Sequence, residues 1–126
     1  IIELLRNTQS KVHLRLRLAL QRAEPLFMPC AVLQEVLQGA RNPADFMRLQ
    51  ADMDALPLYQ TDDIGELHRQ AAMLYARCRW QGFTPRSPMD CVVAACALEA
   101  DLPLLAIDRD FSHMASIEPR LHLLAL

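Results

Sequence analysis

The stretch from Ser87 to Ile107 constrains the fold more than any other part of the chain. Val92 to Leu98 is apolar nearly all round, so a helix there has to be packed on more than one side. Ser87 and Pro88 suit its start, since proline in a first turn gives up only an amide that has no helical partner. Leu102 to Ile107 follows at once as a continuous apolar run of strand length. A buried helix leading into a buried strand points to layers of both element types rather than to a bundle or a sandwich.

The flanking segments repeat that alternation. Leu26, Phe27 and Met28, between Pro25 and Pro29, make a short buried strand, and Ala31 to Gln38 reads as a helix closed by Gly39. Asn42 caps a further helix, with Pro43 and Asp45 suited to its first turn and Phe46, Leu49, Met53 and Leu56 as its apolar stripe. A strand near Leu56 to Tyr59 follows. Thr61, Asp62 and Asp63 open the clearest helix, with Ile64, Leu67, Ala71, Leu74, Tyr75 and Cys78 facing a core and Gly82 as the stop. Leu121 to Leu124 is a last strand. Near the N-terminus, Ile1 to Arg6 reads as the body of a helix. Val12 to Leu20 alternates like a strand, but its Leu, Arg, Ala and Gln favour a helix over about Ser10 to Ala23. Short strands separated by helices imply right-handed crossovers, hence an α/β fold with a short parallel sheet covered by helices on both faces.

At 126 residues one domain with one core is expected. A hydrophobic share of 52% with only 3 Gly favours helices and argues against disorder. Apolar runs fall far short of the roughly 18 residues of a membrane span, and no signal peptide is visible, so a cytoplasmic protein is expected. Cys30, Cys78, Cys91 and Cys96 form no CxxC pair and sit in apolar stretches, which predicts buried free thiols rather than zinc ligands. The net charge of −2 does not announce a nucleic-acid binder, yet every basic residue except Lys11 is Arg, the side chain whose planar fork suits phosphate.

In an open parallel sheet, ligands bind beyond the carboxyl ends of the strands, which directs attention to Asp108, at the end of Leu104 to Ile107, and to Asp110 two positions on. Asp108 also suits the cap of a short helix. Asp90 stands in the first turn of the all-apolar helix, where Ser87-Pro88-Met89-Asp90 equally fits a reciprocal capping box. Glu35 lies between Val32, Leu33, Val36 and Leu37, and either faces solvent or needs a partner. Together, Glu35, Asp90 and Asp108 come from separate elements and offer only oxygen, the donor set of Mg²⁺ or Mn²⁺. Such a cation activates water and neutralises charge on a phosphoryl group. No H-x-x-x-H pair, Gly-rich phosphate loop or G-x-S-x-G elbow offers an alternative. Arg86, just ahead of Ser87, is a candidate phosphate contact as well as an ordinary loop arginine.

Three stretches in this order resemble the PIN domains, and among them the VapC-like toxins of bacterial toxin–antitoxin pairs. They are Pro29 to Gly39 (PCAVLQEVLQG), Ser87 to Leu98 (SPMDCVVAACAL) and Leu104 to Phe111 (LLAIDRDF). The resemblance implies a PIN-like three-layer α/β/α domain over 1–126 and a Mg²⁺- or Mn²⁺-dependent endoribonuclease. Glu35, Asp90 and Asp108 match its acidic positions, and Asp110 is a frequent accessory. It also implies an RNA substrate, a cognate antitoxin along the active groove and a homodimer; Val12 to Leu20 is a candidate surface for such partners, with core packing as the alternative for its leucines. The family's first acidic residue precedes a helix resembling Ile2 to Arg6, so the first strand and that carboxylate are expected to be missing from this sequence. Two other readings stay open: a PIN-like interaction module without turnover, and a PIN nuclease of RNA processing without an antitoxin.

Overall fold

The computed structural model of the chain describes residues 27–54, 56–105 and 109–124, which hold five helices. The helices predicted over Ile1 to Arg6 and Ser10 to Ala23 lie outside these residues. Between Gln60 and Thr61 the chain divides into two compact units.

In the first unit, α1 (Cys30–Gln38) and α2 (Pro43–Met53) pack together beside a parallel bridge between Met28 and Leu58. The bridge is made by the Met28 amide donating to the Pro57 carbonyl and the Tyr59 amide donating to the Met28 carbonyl, both at 2.9 Å. Among the described residues this bridge falls within both predicted strands. Asn42 caps α2 as expected, its side chain accepting from the Asp45 amide at 2.8 Å. Replacing it by alanine orphans that amide, so Asn42→Ala is expected to lower stability by about 1 kcal/mol. Urea unfolding with an unchanged midpoint would contradict this. Of the α2 stripe, Met53 and Leu56 are buried while Phe46 is exposed. Cys30 is exposed as well, against the expectation of a buried thiol, because it falls at the first position of α1 rather than on the face that buries Val32 and Val36.

The second unit is built on α3 (Ile64–Trp80) packed along α4 (Pro88–Ala100), with α5 (Arg109–Ile117) also against α3. Asp63 caps α3 by accepting from the Glu66 amide at 3.0 Å. Leu67, Ala71, Leu74 and Cys78 form its buried stripe, but Ile64 is 63% exposed. Ile64 is the first helical residue, and the stripe begins one turn later. At the other end Gly82 takes φ 89°, and the amides of Gly82 and Phe83 return to the carbonyls of Arg79 and Cys78 at 3.0 and 2.9 Å. This paired closure needs a left-handed residue, for which glycine carries no steric penalty. Helix α4 closes in the same way around Asp101 at φ 54°, with Asp101 and Leu102 donating to Leu98 and Ala97. Along α4 the residues Cys91, Val93, Ala94, Ala95 and Cys96 are all buried, as a helix apolar on every side requires. Leu104 and Leu123 form a second parallel bridge. Among the described residues no helix is long and apolar enough to cross a membrane.

Candidate active site

Asp90 sits in the first turn of α4 and is only 7% exposed. The capping explanation is half absent: the Ser87 side chain makes no cap bond, and the Asp90 amide instead reaches the Ser87 carbonyl at 3.1 Å. Asp110, in the first turn of α5, is 3% exposed. Both acids therefore stand where the partial positive charge of a helix start favours an anion.

The two carboxylates act on one thiol. Burial, and after it the neighbouring Cys78 thiol, Asp90 and Asp110, push the Cys91 thiol up to about 12. Cys78 is raised as well, again mainly by burial, with Asp110 adding to it. Cys91 and Cys78 are thus held neutral beside the acids, which suits a site where carboxylate oxygen rather than thiolate meets a cation. The sequence did not single out these cysteines as neighbours of the acids. A cysteine directly after Asp90 was the visible signal.

Arg86 is tied to the same place. Its main-chain N–H and its Nε both donate to Asp110 Oδ2, at 3.0 and 3.3 Å. The loop before α4 is thereby anchored to the start of α5, and one oxygen of Asp110 is occupied by this arginine. The pairing spans 24 positions and leaves no local mark in the sequence.

Asp108 lies outside the described residues, as do Ala106 and Ile107. Glu35 stands half-buried on α1 in the first unit. Among the described residues no three His, Cys, Asp or Glu side chains gather to hold a metal ion. The described part of the site is accordingly a pair, Asp90 and Asp110, whose hard oxygen donors and dense negative charge fit a divalent cation such as Mg²⁺ in chemistry.

A second ionic centre was not anticipated. Glu118, 5% exposed, accepts from Arg120 Nε at 2.7 Å and Arg77 Nη1 at 2.5 Å, while Arg77 Nη2 donates to the Ile117 carbonyl at 2.8 Å. The Arg120 guanidinium first, and Arg77 after it, hold the Glu118 carboxyl down at about 2. Arg77 thereby ties the last turn of α3 to the end of α5.

The profile of the PIN domain matches residues 1–117, and the chain belongs to that family, whose α/β class the two parallel bridges and surrounding helices accord with. It is 32% identical over 101 residues to a VapC ribonuclease of Mycobacterium bovis and to Ribonuclease VapC11 of Mycobacterium tuberculosis, in each case over 80% of this chain and 75% of the relative.

Proposed function

We propose that the chain is a metal-dependent endoribonuclease, the toxin of a bacterial toxin–antitoxin pair acting in the cytoplasm, which hydrolyses RNA phosphodiester bonds. The observation that carries this reading is the burial of Asp90 and Asp110 around one neutral thiol in a PIN-domain chain. Both are buried acids at helix starts, and their carboxylate oxygens are the hard donors that a divalent cation takes. Likeness to VapC ribonucleases supports RNA as the substrate and a small antitoxin as the partner. A continuous match across residues 1–117 supports one PIN-like three-layer domain.

Asp90, Asp108 and Glu35 would hold Mg²⁺ or Mn²⁺, with Asp110 as accessory. When bound, such a cation supplies Lewis-acid stabilisation of the charge that builds on the phosphoryl group. Asp110 holds Arg86 in place through its two bonds, and Arg86, with a side chain 67% exposed, is proposed to meet an RNA phosphate. A homodimer is part of this reading, and the candidate contact stretch Val12 to Leu20 lies outside the described residues.

Calorimetric titration of the chain with Mg²⁺, Mn²⁺ and Zn²⁺, alongside cleavage of single-stranded RNA, tests the reading. Binding of Mg²⁺ or Mn²⁺ with metal-dependent cleavage is expected. Tight Zn²⁺ binding with neither Mg²⁺ nor Mn²⁺ bound would overturn the carboxylate site, and metal binding without cleavage would leave an interaction module in its place.

A further inference from the structure

The end of α3 carries a feature the carboxylate site does not use. Trp80, the one tryptophan in the sequence, is 67% exposed. Just beyond it the Gly82 turn folds the chain back so that Phe83 meets the His113 ring edge to face, with centroids 4.5 Å apart at 83°. A hollow of about 490 Å³ opens here, lined by Arg77, Trp80, Phe83, His113 and Ser116. Its cationic wall is fixed, since Arg77 is held by Glu118 and the Ile117 carbonyl.

The volume lies in the range of small-ligand pockets, yet the lining mixes ring faces with donors and acceptors. A flat heteroaromatic ring with polar edges suits it better than an aliphatic group: the rings offer stacking, while Arg77 and Ser116 offer polar contact. Its place along the chain also matters. His113 follows Asp110 by three residues on α5, about one helical turn, and Phe83 precedes Arg86 by three. The hollow is therefore lined from the same two segments that the Arg86–Asp110 bonds tie together.

We propose that this hollow receives an unpaired nucleobase of single-stranded RNA, from a nucleotide adjoining the phosphate presented to Asp90 and Asp110. The proposal rests on the ribonuclease reading above. Stacking on Trp80 supplies affinity with little demand on base identity, and the Phe83–His113 pair adds two ring surfaces to the lining.

Because Trp80 is the lone tryptophan, its emission reports occupancy directly. The full chain carrying Asp90→Asn, which spares the RNA, is titrated with a mixed-sequence single-stranded oligoribonucleotide and with an abasic oligomer of equal length and charge. Quenching by the first and not by the second is expected, and Trp80→Ala should weaken binding of the oligoribonucleotide about tenfold while Trp80→Phe keeps most of it. Equal quenching by the abasic oligomer, or unchanged affinity in Trp80→Ala, overturns the pocket. If Trp80→Ala leaves RNA binding intact but releases a bound protein partner, the hollow belongs to that partner and the proposal fails. Base-dependent quenching in the Asp90→Asn chain, together with a parent chain that cuts no RNA when supplied with Mg²⁺ or Mn²⁺, upholds the pocket and removes the nuclease, whereas cleavage by the parent with a KM unaltered by Trp80→Ala does the reverse.

Discussion

Asp90→Asn is expected to lower RNA cleavage by on the order of 10²–10³-fold while leaving the protein at least as stable as before. The substitution keeps the shape of a buried side chain and removes one negative charge, so the oxygen donor set loses its anionic strength without a cavity opening. Asp90 and Asp110 both act on the neutral thiol of Cys91. The exchange adds no volume to a side chain that is only 7% exposed, so the packing around it is retained. Activity should therefore fall while stability holds. Steady-state cleavage and thermal unfolding of the metal-free protein measure the two. A variant that still cleaves at the parental rate removes Asp90 from the site, and one that loses activity only because it has unfolded says the acid is structural.

The second large effect belongs to Glu118. Glu118→Gln is expected to cost on the order of 2 kcal/mol at neutral pH, a figure reduced from the full pKa difference because the Arg120 partner is well exposed to solvent. Since the folded-state value lies below the ordinary 4.5, the carboxylate's contribution is complete above pH 4.5 and disappears as pH falls through about 2. The parent and the Gln variant should accordingly differ in urea midpoint at pH 7 and converge near pH 2. A gap of the same size at both pH values would mean that packing, and not the two arginines, makes Glu118 matter.

Much of this architecture was legible locally. Asn42, Asp63 and Gly82 act within four residues of themselves, and caps and turns of that reach are written in adjacent side chains. Each predicted strand holds a parallel pairing among the described residues, at Met28, Leu58, Leu104 and Leu123, because apolar runs between turn signals mark buried extended chain. Asp101 closes α4 with no glycine to announce it, as an aspartate can accept a left-handed backbone. Of the candidate site, Asp90 and Asp110 stand beside apolar runs, and the burial those runs announce is what the structure shows for both. Their shared thiol, the Arg86 anchor and the Glu118 centre were not, because each joins residues that only the folded chain brings near. Ile64 and Cys30 show the complementary error: an apolar residue at a helix start can fall outside the stripe that its pattern suggests.

The small side chains that line α4 also govern how a chain of this kind can change over generations. Cys91, Ala94, Ala95 and Cys96 are buried, so almost any replacement adds volume where none is spare. Overpacking of that sort costs about 1–3 kcal/mol per step, a large part of the 5–15 kcal/mol that keeps a typical domain folded. The outer face of α3, with Met73 and Trp80 in solvent, carries no such penalty. Descendants of this chain can acquire new targets or partners by drifting along α3, while α4 stays closed to them as a route of innovation.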